Sequence, residues 1–348
     1  MENNSIYSYK IRQVPCTLDN IRTIQSQEIS ILDSYEKDML FDNLERGTDI
    51  ISHELQMCMY MYSYEKMHKA KMFDALEHAK FLSYQDIEII DYGCGQGLGT
   101  LAVIEYMKTH GYNISNIKSV TLIEPSKICI NRAHLHVNLA HPHCKIKIIN
   151  KTINDIKEDE LKSNHYCVLH IFSNILDIES VDINNLVKIT DKGKYFCSEY
   201  ICVGPYFGES SRQRRYDYFG NCLGIESHYY VDYDKGEWIN NWTYSARLFF
   251  HHEENISFYH YLKKLGIKLV DAGSTISGGK FVCLSDGSTL PCGEKAFTKA
   301  KKYCVTNEKC LLDSMMIKTI KNSDGIIIIA LISCPEIVGP KVTINFDW

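Results

Sequence analysis

The chain lacks several features that would assign its class directly. It has no excess of positive charge: Lys and Arg number 38 against 43 Asp and Glu, a formal net charge of −5. That balance argues against a protein that coats nucleic acid through bulk electrostatics and leaves only a local basic patch for such contact. No apolar run reaches the ~20 residues a membrane span requires; the longest, Gly325 to Cys334, is about half of that. The opening residues, MENNSIYSYK, hold no basic stretch followed by an apolar one, so no secretory signal is expected. Internal repeats and low-complexity segments are missing as well. The expectation is a cytoplasmic protein with no membrane contact.

A C-x₂-C knuckle is also missing, although there are 14 cysteines. Disulfide frameworks belong mainly to short secreted domains with regular Cys clusters. Here Cys58, Cys167, Cys197 and Cys202 lie inside apolar runs, where a reduced thiol behaves as a small hydrophobe. The intervals among Cys283, Cys292, Cys304 and Cys310 do not suit zinc. His134 and His136, two apart, cannot share a helical face. No metal is assigned.

What is present is an ordinary globular composition, 45% hydrophobic and 23% charged over 348 residues. At about 150 residues per domain, that length suggests two. Residues from about 17 to 82 read as helical, with Leu55, Met59, Tyr62, Lys66, Lys69 and Phe73 on nearby turns of one long helix. From Ile87 strands and helices alternate, the pattern of a parallel sheet with covering helices. Strands are expected at 87–92, 118–124, 145–150, 166–172 and 194–203, with helices at 98–109, 126–140 and 183–189. Two more strands, at 228–233 and 242–252, form a hairpin. Beyond it lie a helix at 258–265, a strand at 266–270 and an apolar strand at 325–333. The implied division is a helical N-terminal extension (1–85), a central α/β domain (86–252) and a C-terminal α+β addition (253–348).

The sharpest local signal is the turn between the first strand and the first helix after it, Asp91-Tyr92-Gly93-Cys94-Gly95-Gln96-Gly97. Alternate glycines permit a tight turn and close approach of a ligand to the backbone. Leu98 stands where the dinucleotide fingerprint has its last glycine, and the lysine and hydroxyl of a P-loop are absent. Asp91-x-Gly93-x-Gly95-x-Gly97 after an apolar strand resembles motif I of the class I S-adenosylmethionine-dependent methyltransferases, over about residues 87–252.

The resemblance implies a Rossmann-like methyltransferase sheet with S-adenosyl-L-methionine as cofactor. It places Asp91, Gly93, Cys94, Gly95 and Gly97 under the methionine part, Glu124 at the ribose hydroxyls and Asn150 near adenine. A carboxylate suits a vicinal diol because it can accept two hydrogen bonds. Asp91 and Glu124 are further apart than the ~20 residues usual in dinucleotide folds, owing to a long intervening helix and loop. Tyr64 and His68, at i and i+4, are placed over the pocket, although such a stripe also reads as packing. The end of the fourth strand supplies His170, Ser173, Asn174 and Asp177 on the reacting side. Ser173 and Asn174 are candidates to orient ligands and His170 and Asp177 to act as bases, with strand packing and helix capping as their other readings.

The Asp/Asn/Ser-Pro-Pro-aromatic motif and a Pro-Cys nucleophile are absent from that strand end, which disfavours two kinds of nucleic-acid base methylation. Arg212, Arg214 and Arg215, interleaved with Tyr216, Tyr218 and Phe219, mark nucleic acid as a candidate partner, and a solvated helix face explains them equally. The methyl acceptor is unassigned among RNA, protein and small molecules. The rival readings are a non-catalytic subunit that keeps the cofactor fold and a nucleotide-dependent oxidoreductase.

Overall fold

The computed structural model describes residues 5–47, 49–163, 165–191, 197–208, 210–233 and 243–252, together with strands at 281–283, 310–312, 315–321 and 327–333. The chain divides into two compact units, Met1–His252 and Glu253–Trp348.

In the first unit, the expected alternation produces β1 (Ile87–Tyr92), α5 (Leu98–Thr109), β2 (Ile117–Ile123), α6 (Lys127–Ala140), β3 (Lys145–Ile149), β4 (Cys167–Ser173), α7 (Ile183–Ile189) and β5 (Cys197–Gly204). The basic aromatic segment forms α8 (Ser211–Leu223), and the hairpin is β6 (Ser227–Tyr233) with β7 (Tyr244–His252). The seven strands pair in the order β3-β2-β1-β4-β5-β7-β6. The first five run parallel, and β7 is antiparallel to both β5 and β6. This is the Rossmann-like plan the sequence implies.

Burial explains the strand compositions. Every residue of β1 and β5 is buried, so these strands read as mostly apolar runs rather than alternating ones, with Glu88, Asp91, Ser198 and Glu199 as buried polar exceptions. At the edge, β3 exposes Lys145 and Lys147, charges that discourage pairing with another chain. Sheet order reverses between β1 and β4, and the crevice beyond the carboxyl ends of such neighbours is where open α/β sheets bind ligands.

Ahead of the sheet come α1 (Ile6–Arg12), α2 (Leu18–Ser30), α3 (Ser34–Asp42) and α4 (Glu54–Leu76). α1 precedes the helical stretch expected from the sequence. In α4 the buried positions include Met57, Met61, Glu65, His68, Lys71 and Met72, whereas Leu55, Tyr62 and Lys66 are exposed. Of the residues expected on nearby turns of this helix, Met59 is buried as well. α4 packs on α2, α3 and α5 and also meets β5 and β7, and a helix covered from several sides carries no single apolar stripe.

The second unit contains a four-stranded antiparallel sheet, β8 (Phe281–Cys283), β9 (Cys310–Leu312), β10 (Met315–Lys321) and β11 (Ile327–Ser333), in the order β8-β11-β10-β9. The apolar strand expected at 325–333 corresponds to β11. The helix and strand expected at 258–270, and Cys292 and Cys304, lie outside the described residues.

Candidate functional site at the carboxyl ends of β1 and β4

The turn after β1 is held open by three glycines in the left-handed region: Gly93 (φ 61°), Gly95 (φ 52°) and Gly97 (φ 84°). Their surroundings differ. A Cβ on Gly93 would meet the Ile175 side chain, and one on Gly97 would press against Ala133, whereas one on Gly95 would have no atom within 4 Å. Gly95 therefore borders open space, the place where a ligand can lie directly on the backbone.

Gly97 is the N-cap of α5 and has no side chain to offer the first helical N–H groups. Asp91 takes over that duty from β1. Its Oδ2 accepts from the Thr100 backbone N–H at 2.9 Å and from the Thr100 hydroxyl at 2.8 Å. The Cys94 N–H donates to the Ile123 carbonyl at 2.9 Å, tying the turn to β2.

Glu124, just beyond β2, completes this wall. Its Oε2 accepts from the Gly95 N–H at 3.0 Å and its Oε1 from the Ser126 N–H at 2.8 Å. A carboxylate offers about four acceptor sites, so capacity for a diol remains. Burial pushes the carboxyl groups of Asp91 and Glu124 each up to about 6 against the opposing pull of these hydrogen bonds. Asn150 sits at the end of β3, its amide donating to the carbonyls of Glu124 and Pro125 at 2.8 Å each. Cys94 is buried, and desolvation drives its thiol far above the ordinary range.

A second group of candidate residues comes from α4 and the carboxyl end of β4. Positions 60, 64, 68 and 71 fall on one helical face. Tyr64 packs against Tyr60 and edge-on to His68. His68 Nε2 lies 3.1 Å from the Tyr60 hydroxyl, and its Nδ1 lies 3.3 Å from the Ser173 hydroxyl. The Asn174 amide nitrogen is 2.8 Å from Nδ1 and 2.9 Å from Nε2. Asn174 Oδ1 in turn accepts from Lys71 Nζ. Asn174 holds a left-handed φ of 57°, uncommon for a residue with a side chain and concentrated at functional positions. Burial drives the His68 imidazole well below its usual range, toward the neutral ring, and Lys71 adds to this. Asp177 is buried and raised by desolvation, and the Tyr216 hydroxyl donates to it at 3.4 Å.

The structure thus gathers Tyr64, His68, Ser173 and Asn174 into one cluster, while Asp91, Gly93, Gly95 and Glu124 are brought together at the turn after β1. His170 is set apart: it lies mid-strand with no exposed surface, 3.0 Å from the Tyr92 hydroxyl and stacked on Tyr200 at 4.6 Å. Sequence reasoning passed over Thr100 and Lys71. Lys71 was detectable as the residue i+3 from His68. Of the arginines, Arg215 donates to the Leu176 and Val181 carbonyls and Arg212 pairs with Glu179 at 3.2 Å, while Arg214 is exposed. Tyr216 and Phe219, expected to alternate with them on one surface, are core residues.

No family model matches the chain, and none of the curated proteins matches it. Solved structures with similar coordinates include a geranyl diphosphate methyltransferase in complex with GPP and sinefungin, at 12% identity and TM-score 0.38 over 56% of this chain and 83% of that one. TYW2 of M. jannaschii in complex with AdoMet aligns at 14% identity and TM-score 0.36, over 56% and 78%. A SAM-dependent methyltransferase of Leishmania major aligns at 11% identity and TM-score 0.37, over 61% and 82%.

Proposed function

We propose that this chain is an enzyme that binds S-adenosyl-L-methionine and transfers its methyl group to an acceptor. The observation that carries the reading is the open backbone at Gly95, flanked by the buried Asp91 and Glu124 carboxyl groups at the point where sheet order reverses. The residues fit the cofactor's chemistry. Glu124 has acceptor sites left for ribose hydroxyls, the turn around Gly95 admits the methionine part, and acidic groups suit a ligand that carries positive charge. The bound cofactor would supply a sulfonium-activated methyl group, so that the protein's task is positioning. Ser173, Asn174 and His68, which meet at the carboxyl end of β4, are the groups this reading assigns to the acceptor's side.

Calorimetry with S-adenosylmethionine tests the proposal. The wild type should bind saturably. Gly95→Asp, which fills the open space with a charged side chain, and Glu124→Ala should each weaken binding by about 100-fold or more while circular dichroism stays unchanged. Undiminished affinity in both variants would sink the assignment. Radiolabelled transfer to separated RNA, DNA, protein and small-molecule pools then identifies the acceptor class. Nucleic acid is one pool among these, since two of the three arginines of α8 are engaged within the fold. Binding without transfer to any pool would favour the non-catalytic subunit, and binding of NAD instead would favour the oxidoreductase.

A further inference from the structure

Lys71 is the one lysine among the described residues that is buried, with a relative exposure of 1%. No carboxylate among those residues lies within ion-pair distance of it; its hydrogen-bond acceptor is the neutral amide oxygen of Asn174. An ammonium in such a place has lost its water and gained no counter-ion in contact, the condition that drives a lysine to release its proton. The remaining groups facing it do not reverse this. His68 and Tyr60 share its helix face, Asp177 follows β4 and is bonded by Tyr216 of α8, and Arg212 of α8 also acts on Asp177. On β7, Tyr244 bonds Asp74, one turn further along α4. The charged groups that α2 and α5 bring to α4, namely Asp19, Arg22 and Glu105, pair with Lys69 and Glu65 instead.

The position has a second peculiarity. Asn174 keeps a left-handed backbone, and its amide spans Lys71 and His68 at the carboxyl end of β4. A donor at Oδ1 fixes which way that amide points, so its NH₂ faces His68. That NH₂ lies within hydrogen-bond distance of both ring nitrogens, and the Tyr60 hydroxyl meets Nε2. The amine, the amide and the imidazole form a single hydrogen-bonded unit at the carboxyl end of β4.

We propose that Lys71 serves as an uncharged amine that takes up the proton released when an O–H or N–H acceptor is methylated. This rests on the methyl-transfer reading above. In that step the acceptor's lone pair forms the new bond to the methyl carbon. The methyl–sulfur bond breaks with its electron pair left on sulfur. The acceptor's proton passes to the Lys71 lone pair, which becomes an ammonium. Asn174 and His68 are positioning residues that hold the amine in place. Desolvation, which brings Lys71 from its ordinary 10.5 to about 7 with only partial opposition from Asp177, agrees with this arrangement.

The test uses the full chain labelled with ¹³Cε-lysine, with the Lys71 resonance assigned through Lys71→Met and, should that variant not fold, through Lys71→Arg. The expected result is a Lys71 titration centred near pH 7, well below the ordinary lysine value. S-adenosylmethionine, which carries a sulfonium, should move that midpoint down, and S-adenosylhomocysteine, whose sulfur is neutral, should move it less. An ammonium that persists above pH 9, or equal shifts with both ligands, would overturn the proposal while leaving the methyl-transfer reading intact. A wild type that binds neither ligand would overturn both. With the acceptor pool that takes up label, Lys71→Arg should lower transfer by about 100-fold or more, the scale of a lost general base. It should also abolish the rise in rate through pH 7 without changing cofactor affinity.

Discussion

Neither carboxyl oxygen of Glu65 accepts a hydrogen bond, although its side chain has no exposed surface; the nearest cation among the described residues is the Arg22 guanidinium, Nε to Oε2 at 3.8 Å. Burial, with Asp19 adding to it, pushes this carboxyl from 4.5 up to about 7, and Lys69 and Arg22 only partly oppose the shift. Because the folded-state value is the higher one, the folded protein holds a proton that the unfolded chain has released between about pH 4.5 and 7. The linkage sign follows: this group's contribution to stability falls as pH rises through that window, and its full cost is present above it. Glu65→Gln should therefore raise the melting temperature at pH 8, by the equivalent of roughly 1–3 kcal/mol, and change it little at pH 4. Thermal melts at the two pH values decide the matter. A loss at pH 8 that exceeds the change at pH 4 would show that the Arg22 pairing outweighs the desolvation of the charge.

At the level of elements, the start of α5 depends on a side chain from β1 because Gly97 has none. Thr100→Val keeps the shape of the residue and removes the hydroxyl bond to Asp91, which should cost about 1 kcal/mol. Asp91→Ala also leaves the Thr100 N–H unsatisfied and should cost about 1–3 kcal/mol in urea unfolding. If Asp91→Ala were no worse than Thr100→Val, the helix start would not rely on this acid. The strands and the glycine turn were legible in the sequence because their signals are local. β1 and β5 are mostly apolar, and Gly93, Gly95 and Gly97 are spaced as the turn requires. The role of Asp91 at α5 was hidden, since it depends on Thr100 nine positions away across a turn of unforeseen geometry. α4 was legible as a long helix, but not which of its residues are buried, for a related reason. Its buried set includes Glu65, His68 and Lys71, polar residues that periodicity assigns to solvent and only their partners on other elements explain. His170 shows the converse: a histidine in an apolar strand is legible as packing, and the structure places it in the core.

For the molecule as a whole, the question is whether the N-terminal helices are an appended lid or part of the body that forms the site. Their contacts run to the glycine turn itself. Gln25 donates to the Gln96 side chain at 2.6 Å, Gln96 donates to the Met57 carbonyl at 2.9 Å, and His136 of α6 bonds the Gln96 carbonyl at 2.9 Å while meeting the Tyr7 hydroxyl at 2.6 Å. Arg132, also on α6 and buried, pairs with Glu54 and lies over the Tyr7 ring at 3.7 Å. Ile11, Leu18, Ile21 and Ile29 are buried to 1% exposure or less. Each such side chain stabilises the fold by about 1.5–3 kcal/mol, so the four together rival the 5–15 kcal/mol that separates a typical folded domain from its unfolded chain. Deleting residues 1–50 should therefore not release a smaller functional core. The shortened chain should lose its cooperative melting transition and bind the apolar dye ANS. Gln96→Ala in the full-length chain should lower the melting temperature and weaken S-adenosylmethionine binding together, because one side chain serves both the helices and the turn. A deletion variant that kept cooperative unfolding and native cofactor affinity would instead establish the helices as a dispensable cover.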